Sequence, residues 1–195
     1  WRDVALDRAM EDRRVVAGGR EAPGALRIGH SAVVQGDRGV ADYAAAVMLE
    51  FQGHGRAHRI AATDDETYAA LYELLEDVDD PDARRSLLVR AHLGNYALWL
   101  SGLFPDHIES RRYRRGGPDL EYFEEMGRRG YKLAADHRMA AQLGLTAVFA
   151  LAAERFALLR IALNNVSDAL LFPNVHSPDR LLRQVRDEAR WRRAN

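Results

Sequence analysis

The sequence predicts an all-α fold: a single-domain bundle of about five to seven helices around a buried central helix, residues 81–104. Three observations carry this. Leu87 to Phe104, LLVRAHLGNYALWLSGLF, is almost wholly apolar, and Arg90, His92 and Asn95 are its only strongly polar side chains. A helix apolar on all sides has to be covered on all sides. Elsewhere apolar residues recur at spacings of three and four, and the few β-like stretches cannot assemble a sheet.

Composition sets the outer bounds. A chain of 195 residues, 47 % apolar and 29 % charged, suits one domain with a sizeable core. A formal net charge of −1 gives no bulk attraction to nucleic acid or anionic membrane. The absence of cysteine excludes disulfides, thiolate metal sites and cysteine nucleophiles. The opening WRDVALDRAMEDRR is charged throughout and lacks the apolar core of a signal peptide, so a cytoplasmic location is expected. The polar side chains and glycines of residues 87–104 argue against a membrane span.

Three regions follow along the chain: an N-terminal arm and irregular connection over 1–38, a bundle core over 39–173, and an amphipathic basic helix over 174–195. Within the first, Leu26 to Val34 is a short extended candidate. Val40, Ala44, Val47 and Phe51 share the face of a first confident helix. Thr63 or Asp64 caps a second, whose apolar face is Tyr68, Leu71, Leu75 and Val78. The acidic DVDDPD run over 77–82 reads as a solvated turn with Pro81 opening the central helix. As a magnesium motif it would need a second carboxylate run, and none follows.

On the central helix, Ser86, Arg90, Gly94, Ala97 and Ser101 form a strip of mostly small residues that admits close approach by a neighbour. Pro105 then ends it. PDHIESRRYRRGGPD is expected to be a basic loop, followed by a helix from Pro118 to Gln142. The inward face of that helix holds Phe123, Met126, Gly127, Gly130, Leu133 and Ala134. Glycines there imply close backbone packing. A last long core helix runs from Thr146 to Phe172, with Arg155 interrupting its apolar face. Asp136, Glu125 and Asp168 are its candidate internal partners. Asn164 and Asp168 are placed on the opposite, outward side. In the C-terminal helix, Leu181, Leu182, Val185 and Ala189 make a narrow stripe among six arginines and three acids.

Candidate sites follow from these placements. His92, Tyr96, His137 and Arg155 are the ligand-site candidates: two inward histidines on adjacent helices, an aromatic beside them, and a guanidinium able to hold an anion. No Glu-x-x-His pair for a di-iron centre occurs and no third histidine ligand can be placed, so no metal is assigned. The cofactor is left unknown, with haem or a metal compatible with two inward histidines and neither favoured. Arg112, Tyr113, Arg114, Arg115 and Trp191 are the partner-binding candidates, as exposed aromatics amid arginine. The leading expectation is a non-catalytic interaction or assembly protein, a homo-oligomer or the partner of another protein. A ligand-, haem- or metal-binding bundle around His92 and His137, enzymatic or not, is the first alternative. A nucleic-acid-binding accessory protein is the second.

Overall fold

Asp82 sets the start of the central helix in the computed structural model, which describes residues 38–52, 74 and 77–194. Its carboxylate accepts the Arg84 N–H at 2.9 Å, satisfying one of the free donors of the first turn and leaving Pro81 just outside. The helices are α1 (Arg38–Glu50), α2 (Ala83–Leu103), α3 (Pro105–Arg115), α4 (Leu120–Ala135), α5 (Arg138–Gln142), α6 (Thr146–Glu154), α7 (Phe156–Val166) and α8 (Pro178–Ala194). A π-helical turn, Ser167–Leu171, extends α7. The described residues contain no strand, and the architecture is the all-α bundle. No helix among them is long and apolar enough to cross a membrane. The expected extended segment at Leu26 to Val34, the 1–37 part of the arm and the helix start at Thr63 or Asp64 lie outside the described residues.

Helix α2 runs through the middle, touching α1, α3, α4, α5 and α7. Its closest neighbour is α4, and glycine is the reason. A Cβ on Gly130 would lie 2.6 Å from the Gly94 backbone nitrogen and 3.0 Å from the Arg90 carbonyl oxygen, while one on Gly94 would run into the Tyr131 ring. The two helices therefore meet backbone to backbone on the strip of small residues. Gly127 makes room for the Phe156 ring in the same way.

Polar pins then set the register. The Asn95 carbonyl oxygen accepts hydrogen bonds from Tyr43 of α1 at 2.5 Å and Tyr131 of α4 at 3.0 Å. Burial raises the pKa of both phenols, so they remain donors. Arg90 is held by the carbonyls of Val78 and Leu133 and by Asp79. Asp77 and Asp80 face Arg85, so the acidic run is a turn laced to α2 by arginine.

Three boundaries differ from expectation. The stretch after Pro105 is a helix: Phe104 closes α2 through its N–H to the Leu100 carbonyl, and Pro105 opens α3 at the first position, where proline fits. Gly116, at φ 64°, ends it. The 118–142 helix breaks at His137, which caps α5. The 146–172 helix breaks at Arg155, whose φ of −94° and ψ of 8° lie outside helical geometry, and continues as α7 from Phe156.

This packing predicts opposite outcomes for two glycines. Gly130→Ala forces α2 and α4 apart and is expected to cost several kcal/mol, at the upper end for overpacked cores of about 1–3 kcal/mol or more. Gly39→Ala, with nothing within 4 Å of the new methyl, is expected to add up to about 1 kcal/mol. Urea denaturation of both variants checks the pair.

Candidate functional site

Helix α8 carries hydrophobic residues and arginines in nearly equal measure, and it is packed with its charged side inward. At about 100° per residue, Arg180, Arg183, Asp187 and Arg190 fall on one side, with Leu181, Leu182, Val185 and Ala189 on the other. Arg180, Arg183 and Asp187 are buried, whereas Leu181, Leu182 and Val185 are 60 %, 59 % and 68 % exposed. Amphipathic patterning predicts the reverse.

The inversion rests on what the bundle presents to α8. Arg160 of α7 is 2 % exposed. Its Nε donates to Glu124 of α4 at 2.7 Å, and its two terminal nitrogens donate to the two carboxylate oxygens of Asp187 on α8. Asn164 accepts a further bond from it through its side-chain oxygen. Burial opposes the Arg160 charge, but hydrogen bonding and attraction to Asp187 and Glu124 outweigh this, and its pKa stands above the usual guanidinium value.

Glu124 also takes a two-pronged contact from Arg190, at 2.9 and 3.0 Å. Arg183 clamps both oxygens of Asp168 in the π-helical turn, and Gln184 donates to the same carboxylate at 2.9 Å. Arg180 donates to Asp106 at the start of α3 and to the carbonyls of Phe172 and Val175. Arginines 160, 180, 183 and 190 thus face Asp106, Glu124, Asp168 and Asp187, four positive charges against four negative. A neutral, hydrogen-bonded cluster is the arrangement in which buried charge is tolerated.

The same layer closes the end of α2. Asn164 donates its amide to the carbonyls of Ser101 and Gly102 at 2.7 and 2.8 Å, and the Ser167 hydroxyl donates to that of Leu103 at 2.6 Å. These are last-turn carbonyls of the central helix, which need partners from outside it. Asn164 and Asp168, expected on an outward face, are buried or nearly so and work inward.

On the outer side of α8 lies an open groove of about 990 Å³. Leu181, Val185 and Ala189 line it from α8, with Asn165 and Ala169 opposite and Arg192 at the basic end. Leu170, in the π-helical turn beside Ala169, is also exposed.

The ligand-site candidates occupy three settings rather than one. His92 is buried against Phe51, with ring centroids 5.3 Å apart, and stacks on Tyr96 at 6.3 Å, inside an aromatic cluster that includes Trp99. His137 is half-buried at the start of α5, where its Nδ1 accepts the Met139 N–H at 3.2 Å. Burial, then Arg90 and Arg138, hold its pKa below the usual histidine value. Its imidazole is therefore a helix cap and does not join His92. Arg155 sits at the α6–α7 break, 3.7 Å from Glu154, and none of Asp136, Glu125 or Asp168 pairs with it. It lines a second, smaller groove of about 500 Å³ with Arg190 and Arg193. The described residues contain no cluster of three potential metal ligands.

Of the partner-binding candidates, Arg112, Tyr113, Arg114 and Arg115 are exposed at the end of α3, and Trp191 is half-buried. The buried arginine that organises the core is Arg160, which sequence reasoning passed over in favour of Arg155. The available signal was Arg160 spaced four residues from Asn164, two strong polar groups on one side of a mostly apolar helix.

Comparison with models of known families, with curated proteins and with solved structures finds no match.

Two outcomes follow. Arg160→Met leaves Glu124 and Asp187 each short of a buried partner and is expected to cost about 3–5 kcal/mol, read from chemical denaturation. Because folding lowers the His137 pKa, the neutral ring is preferred in the folded state. Its contribution is complete above the unfolded value of about 6.5 and is lost as pH falls through that value toward the folded one. The Met139 amide resonance should titrate with the His137 ring, and His137→Asn, which keeps a capping oxygen, should remove that titration.

Proposed function

We propose that this chain acts by association, and that the outward face of α8 with its groove is the docking surface. The observation that carries the reading is the exposure of Leu181, Leu182 and Val185 on a helix whose Arg180, Arg183 and Asp187 are turned inward and paired. Clustered exposed aliphatic side chains rimmed by polar residues are the character of an interaction surface. The inward pairing of Arg180 and Arg183 also removes them from any role as a basic patch. What α8 offers a partner is an aliphatic stripe flanked by the exposed Arg186 and Glu188, with the exposed Arg192 and Arg193 at one end, a surface suited to another amphipathic helix. Tyr113 and the arginines around it at the end of α3 form a separate exposed surface that supports a secondary contact.

A photo-crosslinking amino acid at position 185, in the full chain expressed in its own cells, tests this reading. Defined adducts are expected there, and few or none from the same group at the exposed, polar Glu121. Equal or absent crosslinking at 185 would contradict association through α8.

A further inference from the structure

Resting on that association reading, we infer that the α8 face is occupied by α8 of a second copy of this chain, running antiparallel, with Val185 next to a two-fold axis. The face is close to symmetric about Val185. Leu181 lies four residues before Val185 and Ala189 four residues after it, all on the outward side. In an antiparallel pair centred on Val185, each Leu181 meets the second copy's Ala189, a large side chain opposite a small one, and the two valines meet at the centre. That alternation lets two helices interlock, and an isologous contact requires it to be self-complementary.

Charge selects the direction. The first turn of α8 carries Asp179 and the last turn Arg192 and Arg193. Antiparallel pairing about Val185 brings the Asp179 end of each helix to the Arg192–Arg193 end of the other, and does so twice by symmetry. Parallel pairing would bring the two Arg192–Arg193 ends together. The Arg192 side chain is 76 % exposed and pairs within its own helix only with Glu188, itself 57 % exposed, so it is free to reach across. The antiparallel arrangement also opposes the two helix dipoles favourably.

The inward side of α8 supplies rigidity. Arg180, Arg183 and Asp187 tie the helix to α3, α7 and the π-helical turn, so its outer face is presented without the cost of ordering a free tail. Preorganisation of this kind lowers the ordering cost that dimerisation has to overcome.

The chain has no cysteine, so Val185→Cys introduces a single thiol. Mild oxidation of the folded full chain with copper–phenanthroline is expected to convert most of it to a disulfide-linked dimer, while Glu121→Cys remains largely monomeric. Leu181→Cys mixed with Ala189→Cys should crosslink more than either alone. Light scattering should give twice the 21.9 kDa chain mass for the wild type. The Leu182→Glu, Val185→Glu double variant should give the monomer mass with unchanged helical circular dichroism, and Val185→Ala serves as a milder second variant that weakens dimerisation.

A wild-type monomer at hundreds of micromolar overturns the proposal. So does a dimer that survives the double glutamate variant, or equal crosslinking from Glu121→Cys. The two levels of the account separate cleanly: photo-adducts at 185 of a mass other than two chains sink the dimer and leave association through α8 standing, while no adducts at 185 sink both.

Discussion

Arg160 cannot give up its charge and has almost no contact with water, so whatever surrounds it must bring negative charge and hydrogen-bond acceptors. The surrounding groups come from Glu124 on α4, Asn164 on its own helix and Asp187 on α8. That one guanidinium therefore joins three helices. Because Asp187 can reach it only when the charged side of α8 faces inward, it also decides which way the last helix is turned. The outward apolar face is the consequence.

Energetically, such a cluster is a poor source of net stability, since a well-packed apolar replacement of similar volume often does as well. Its effect is on specificity. With Leu181, Leu182 and Val185 inward, Asp187 and Arg183 would be withdrawn and Glu124, Asp168 and Arg160 would be left buried with missing partners, at about 1–3 kcal/mol or more for each, which offsets the gain from covering three aliphatic side chains of about 1.5–3 kcal/mol each. The network also reaches the central helix, because Asn164 bonds Arg160 through its oxygen while its amide holds the carbonyls of Ser101 and Gly102. The end of α2, the path of α7 and the orientation of α8 are one connected polar structure.

Where helical period and backbone sterics decide the outcome, the fold is legible from residues alone. Val40, Ala44, Val47 and Phe51 form the buried face of α1, and Gly130 meets Gly94 where the small-residue strip allows it. The site is less legible. Amphipathic reasoning assumes that charges seek water, and it fails at α8 because eight ionised groups neutralise each other at long sequence separation, Asp106 to Arg180 and Glu124 to Arg190 among them. No local pattern encodes that matching. The two histidines mislead for a related reason: spacing places His137 on an inward arc, but the helix that would hold it there ends at Ala135, and the ring caps the next one.

The central claim is the orientation of α8, and the arginine side chains report on it directly. In ¹⁵N-labelled protein, the hydrogen-bonded Nε–H protons of Arg160 and Arg180 should exchange slowly with water, and those of Arg160, Arg180 and Arg183 should be shielded from a paramagnetic solvent probe, while those of Arg112, Arg114 and Arg115 exchange freely and are exposed to the probe. Exchange of Arg180 as fast as that of Arg114, with Arg183 as open to the probe as Arg114, would mean that α8 carries these charges outward, and would contradict the account.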